Sequence, residues 1–294
     1  MLGVDRILVV VDQNEAATVV LEKAVALAKA ADAELEVIHV VYEGIADIPV
    51  QDVDHNQVIK TYALQAAEAW LEDQLDSVRS KVKKLTSAAI WNKDEWLGVV
   101  HAAEVGGANL IIKAADRNDD GLSIRTPQDW NLLRHSDVPV MLVKANAWVK
   151  GPIIMAAIDA LNDDQAALNQ RVLQEADNLT SILGGELAIV ATYPLMEPWA
   201  EPAIGIDFAR LKDEIEQSAR KGVEKLTEAA GVSYNYLYIE EGRPAMRIRA
   251  MVEETNAEML VMGTVGRTGV KSFVIGNTSE TILHYTDCDV VVLR

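Results

Sequence analysis

The residues best suited to chemistry lie between Gly263 and Thr278, reading Gly-Thr-Val-Gly-Arg-Thr-Gly-Val-Lys-Ser-Phe-Val-Ile-Gly-Asn-Thr. Gly263, Gly266, Gly269 and Gly276 are interleaved there with Arg267 and Lys271. Glycine lets the backbone approach an anion closely and take positive φ, so consecutive N–H groups can converge on a phosphate. The stretch follows an apolar strand-like run (Met259, Leu260, Val261, Met262) and precedes a helical pattern (Glu280, Thr281, Ile282, Leu283). The positive end of that helix would add to the attraction. The chemistry implied is the binding of a phosphate-bearing ligand.

Other chemistries find little support. Gly266-Arg267-Thr268-Gly269-Val270-Lys271-Ser272 departs from the nucleotide P-loop because Val270 separates glycine from lysine. No Gly-x-Gly-x-x-Gly follows a first strand, and no His-x-x-His motif occurs. The histidines (His39, His55, His101, His135, His284) show no helical i, i+4 pair and no cysteine partner, so no metal site is expected. His39 reads as a satisfied strand histidine and Cys288 as packing. The abundant carboxylates read as solvated helix faces rather than an acid–base pair.

The elements that must position the glycine stretch come twice. Residues 6–12 and 153–159 are apolar strands ending in Asp12 and Asp159; 109–114 matches 258–263, and 133–144 matches 283–294. Residues 1–146 carry 14 basic and 23 acidic side chains and residues 147–294 carry 13 and 22, which splits the net charge of −18 evenly. The first half predicts strands at 6–12, 34–41, 85–91, 108–113 and 138–144, with helices at 15–31, about 56–79, 97–106 and 128–135. The second predicts strands at 152–159, 186–192, 234–240, 258–262 and 289–294, with helices at 163–183, about 208–230, 244–255 and 277–285. Val20, Leu21, Ala24, Val25, Leu27 and Ala28 fall on one helical face. β-branched strands joined by crossover helices predict an α/β fold with a parallel sheet covered on both faces. Ligands of such sheets bind beyond the carboxyl ends of the strands, where strand order reverses. Asp159, Val190, Gly242 and Gly263 fall at or near such ends.

This pattern resembles the universal stress protein family, whose nucleotide-binding members carry G-x2-G-x9-G followed by Ser or Thr. Gly263, Gly266 and Gly276 fill the glycine positions at that spacing; Asn277 stands next, with Thr278 one step later. Asp159 matches the family's strand-end aspartate, and Glu241-Gly242-Arg243-Pro244 resembles its G-x-P turn. Thr126-Pro127-Gln128-Asp129-Trp130 and Trp148 further resemble the tandem, two-domain E-type branch. The resemblance implies two flavodoxin-like domains, similar to those of adenine-nucleotide alpha-hydrolases, each with a five-stranded parallel sheet. It divides the chain at 1–146 and 151–294 and packs the halves as an internal pseudo-dimer, with 138–144 facing 289–294. It also implies ATP or AMP in the second half. Ala157, Ile158, Asp159 and Val190 would then surround base and ribose. Met262, Gly263, Gly266, Arg267, Gly276, Asn277 and Thr278 would line the phosphates. Asn277 departs from the family's hydroxyl residue: it offers an amide on a longer arm and can equally cap the helix.

The first half lacks these features. Gly263 becomes Ala114, Gly276 becomes Thr126 and Asn277 becomes Pro127, while the loop carries Asp116, Asp119 and Asp120. Three carboxylates repel a triphosphate and proline removes a donor, so no nucleotide is expected there. A net charge of −18 argues against nucleic acid as a partner. No apolar run nears the ~18 residues of a membrane helix, no leader pattern opens the chain, and one cysteine fits a reducing cytoplasm. Residues 193–207 and their counterpart 42–55 read as long loops able to cover the strand ends. The leading expectation is a cytoplasmic stress-response protein, non-catalytic or at most a weak ATPase, that binds a small-molecule ligand; further homodimerisation is allowed. The alternative is a carrier or interaction module whose remodelled pocket takes a lipid-like or other apolar metabolite.

Overall fold

The computed structural model describes residues 3–14, 16–48, 55–115, 127–193, 208–264, 282–283 and 286–294. The chain divides into two compact units, Leu2–Ala147 and Trp148–Arg294.

The first unit runs β1 (Arg6–Val10), α1 (Ala17–Ala31), β2 (Glu34–Val41), α2 (His55–Leu75), β3 (Leu85–Trp91), α3 (Glu95–Gly106), β4 (Leu110–Ala114), α4 (Pro127–His135) and β5 (Val140–Val143). Its strands are all parallel in the order β3-β2-β1-β4-β5. The second unit runs β6 (Ile153–Ile158), α5 (Ala166–Leu183), β7 (Glu186–Tyr193), α6 (Phe208–Ala230), β8 (Tyr236–Glu241), α7 (Pro244–Thr255), β9 (Met259–Gly263) and β10 (Asp289–Leu293). Its order, β8-β7-β6-β9-β10, is again all parallel. In each unit the order reverses beside the first strand, between β1 and β4 and between β6 and β9, which opens a crevice at their carboxyl ends.

Burial explains why these residues form these elements. The central strands are apolar throughout: Ile7, Leu8, Val9 and Val10 in β1, and Ile154, Met155 and Ala156 in β6, are all buried. A strand covered on both faces needs such a continuous run. The predicted stripe of α1 is buried residue for residue. Helices α1 and α5 both end in a left-handed residue, Asp32 and Gly184, each two residues before the next strand. That shared ending puts the same turn in both halves.

Boundaries moved where side chains intervene. The predicted helix 163–183 is a short 3₁₀ turn, Asp163–Gln165, followed by α5, because Asn162 Oδ1 accepts the Asp164 N–H at 3.2 Å. The first half repeats this device, with Asn14 Oδ1 accepting the Ala16 N–H at 2.9 Å. Helix α2 stops at Leu75, and a separate turn covers Arg79–Lys81. The histidine expected to be satisfied in the core, His39, is buried, with Nδ1 2.8 Å from the Val11 carbonyl and its ring against Trp70. Among the described residues, no helix is long and apolar enough to cross a membrane.

Candidate functional site

A cavity of about 630 Å³ opens at the carboxyl ends of β6, β7 and β9 in the second unit. Its apolar walls include Ile158, Leu161, Leu168, Ile248 and Met262, and its polar lining includes Asp159, Asn162, Gln165, Asn169, Thr192 and Arg243. The volume suits a drug-sized or nucleotide-sized ligand, and a few polar groups in apolar walls are the usual composition of such sites.

Asp159 follows directly on the last residue of β6, and its side chain is exposed to the cavity. Two features fix that corner. Asn169, on the first turns of α5 and buried, holds both backbone groups of Asp159: its Oδ1 accepts the Asp159 N–H at 3.1 Å and its Nδ2 donates to the Asp159 carbonyl at 2.8 Å. Meanwhile α6 lies against the next residue through Gly222, where a Cβ would stand 2.1 Å from the Ala160 carbonyl oxygen. A glycine inside a helix costs about 1 kcal/mol relative to alanine, so this one is retained for the close approach. Gly222→Ala is therefore expected to lower stability by about 1–3 kcal/mol, the scale of core overpacking, despite alanine's better helix propensity. Urea denaturation checks it; a gain in stability would contradict the packing argument.

Glycine also shapes the other edges of the cavity. Gly242 has φ +137°, a conformation other residues rarely adopt, and carries the chain from β8 into α7 behind Pro244. At Gly263 a Cβ would meet Leu168 Cδ2 at 2.6 Å and Cγ at 2.8 Å, so the bare backbone keeps the end of β9 open. Burial pushes the Tyr193 phenol up in pKa, with weaker opposing influence from Lys212, so the ring presents a neutral hydroxyl.

The structure thus brings together Ala157, Ile158, Asp159, Met262 and Gly263 of the residues singled out in the sequence. Val190 is fully buried within β7, paired with Ala157 and Tyr238, and the β7 lining comes from Thr192 and Tyr193 further along. Gly266, Arg267, Lys271, Gly276, Asn277 and Thr278 lie outside the described residues, as do the loops 116–126 and 194–207. The sequence reading missed Asn169 and Gly222. The signals were an asparagine on the apolar stripe of α5 and a glycine within α6.

The first unit has built something else at the same place. Lys113 on β4, the counterpart of Met262, is a buried lysine in an apolar strand. Its Nζ lies 3.2 Å from Asp12 Oδ2, 3.3 Å from Asp129 Oδ1 and 3.5 Å from Glu95 Oε1. Glu95 and Asp129 stand in the first turns of α3 and α4, where the helix dipoles favour negative charge. The two helices are packed together, with Trp96 stacked on His135 at 4.8 Å and the backbone N–H of Trp96 donating to Gln128 Oε1 at 3.2 Å. Asp12 is therefore engaged by the protein's own cation, whereas Asp159 forms no ion pair among the described residues.

Two copies of a parallel α/β unit, with a crevice at the strand-order reversal of the second, define a duplicated α/β fold. The universal stress protein family matches residues 3–144 and again 152–294, and the chain belongs to that family. Universal stress protein E of Escherichia coli (strain K12) is 25% identical over 297 residues, covering 98% of this chain and 93% of the relative. The universal stress protein E homolog of Haemophilus influenzae is 26% identical over 249 residues, covering 82% and 78%. Among solved structures, a functionally unknown protein from Pseudomonas aeruginosa PAO1 superimposes with a TM-score of 0.76 at 25% identity, over 99% of this chain and 92% of that one. A universal stress protein from Archaeoglobus fulgidus shares the fold, with a TM-score of 0.67 at 21% identity over 99% and 96%.

Proposed function

We propose that this protein is a stress-response regulator that binds an adenine nucleotide, ATP or AMP, in its second half alone. The observation that carries this reading is the contrast between the halves: a cavity whose strand-end aspartate forms no ion pair among the described residues in one, an internal lysine on that aspartate in the other. An aspartate at this position accepts from ribose hydroxyls or the adenine amine, while the bare backbone of Gly263 admits the phosphate end. Among the described lining residues Asp159 is the single carboxylate and there is no histidine or cysteine, which favours binding over turnover.

Calorimetric titration of the whole chain with ATP and AMP tests the reading. One site per chain is expected. Asp159→Ala should weaken it by at least about tenfold, as for a lost charged hydrogen bond. Two equal sites, or affinity indifferent to Asp159→Ala, would overturn it. Mass spectrometry of co-purified ligand adds a second check, since an extracted apolar metabolite would transfer the site to the carrier reading.

A further inference from the structure

The two halves hold their strand-end aspartates by opposite means. In the first, the Asp12 carboxylate itself is gripped, 3.2 Å from Lys113 Nζ. In the second, the grip is on the backbone: Asn169 satisfies the N–H and the carbonyl of Asp159 at 3.1 and 2.8 Å, and among the described residues the carboxylate forms no ion pair. Helix α1 contains no asparagine, so Asp12 receives no such clamp from the corresponding helix. The amide orientation of Asn169 is fixed by its partners, because a backbone N–H can only donate and a carbonyl can only accept.

We propose that Asn169 is the positioning residue of the site, and that ligand affinity is anchored at the nucleoside end that Asp159 reads. This rests on the nucleotide reading above and deepens it. A carboxylate recognises hydroxyls or an amine well only if held in place beforehand, since otherwise the cost of ordering it is charged against binding. A side chain on a strand-end loop is ordinarily mobile. Here the loop's first residue is tied to α5 as firmly as one strand to another, by a donor and an acceptor together. Asn169 is itself buried at 5% exposure, so water competes weakly for its amide and the clamp persists without ligand. Its side chain also lines the cavity beside Asp159, where a shift of the amide would move the carboxylate directly.

The test is calorimetry of the whole chain with two probes, adenosine and ATP, on Asn169→Leu, Asp159→Ala and the double variant. Leucine keeps the branching at Cγ but carries no polar atom; Asn169→Ala serves if it fails to fold, with tryptophan fluorescence and thermal melting confirming the fold. Asn169→Leu should weaken adenosine and ATP by the same factor, roughly tenfold, the scale of two neutral hydrogen bonds partly transmitted to the ligand. In the Asp159→Ala background the same change should cost almost nothing, because the group it positions is gone. Additive losses, or a loss confined to ATP, would show that Asn169 does not act through Asp159 and would overturn the proposal. Should Asp159→Ala leave both affinities unchanged, it is the underlying site assignment that fails, whatever Asn169→Leu does.

Discussion

Lys113→Met, which gives the first half the residue that the second half carries at the matching position, is expected to destabilise the protein by about 3–5 kcal/mol, the usual cost of removing one partner from a buried ion pair. The side chain of Lys113 is 2% exposed and faces three carboxylates, of which Asp129 is 6% exposed. Removing the ammonium takes away the cation on which the three carboxylates converge, and the charge of the buried Asp129 loses most by it. The loss should be partly restored by Asp129→Asn in the same background, because one repulsive charge is then removed while the volume stays. Urea denaturation followed by tryptophan emission suits the measurement, since Trp70, Trp91, Trp96 and Trp130 all belong to the first half. Unchanged stability in Lys113→Met would mean that the cluster is held by its surroundings and contributes nothing itself. The mirror change, Met262→Lys, should place a cation beside Asp159 and abolish nucleotide binding without unfolding the second half.

This cluster also shows where reading the sequence stops. The strand Leu110–Ala114 was legible as a strand because its residues are apolar, and one lysine in it did not alter that. The lysine's meaning depended on three partners at sequence positions 12, 95 and 129, which only the folded sheet brings within 3.5 Å. Helix α1 was legible because its stripe is a local, periodic property, and the parallel sheet followed from alternating elements. Asp159 and Gly263 were legible because strand ends at the order reversal are where this fold makes sites. Val190 is wholly buried within β7, and the cavity lining on that strand is Thr192 and Tyr193. Asn169 and Gly222 share another cause. Each is a wrong-looking residue on a helix, polar within an apolar stripe or small within a helix, and such exceptions acquire a reason only when the facing atoms are known.

Glu175→Gln is expected to stabilise the protein above neutral pH and to flatten its stability profile below it. Glu175 sits on the buried stripe of α5 between Val172, Leu173 and Leu179, with 8% exposure, and its Oε1 has no hydrogen-bond partner among the described residues. Burial pushes its carboxyl up from 4.5 to about 7, with Arg171 one turn earlier opposing the rise. Between those two values the folded chain holds a proton that the unfolded chain has released. The stabilising contribution is therefore complete below pH 4.5 and is lost as pH rises through about 7. The full span is about 3 kcal/mol, each unit of displacement being worth about 1.4. Glutamine resembles the protonated acid at every pH, so the variant and the parent should agree below pH 4.5, separate between 4.5 and about 7, and run parallel above it, with the variant ahead by about 1–3 kcal/mol at pH 8 once its own buried amide is counted. Urea titrations at a series of pH values measure both curves. A gain that is the same at pH 5 and pH 8 would show that Glu175 is ionised throughout and finds its compensation in the fold, a buried charge in the second half to set against Lys113 in the first.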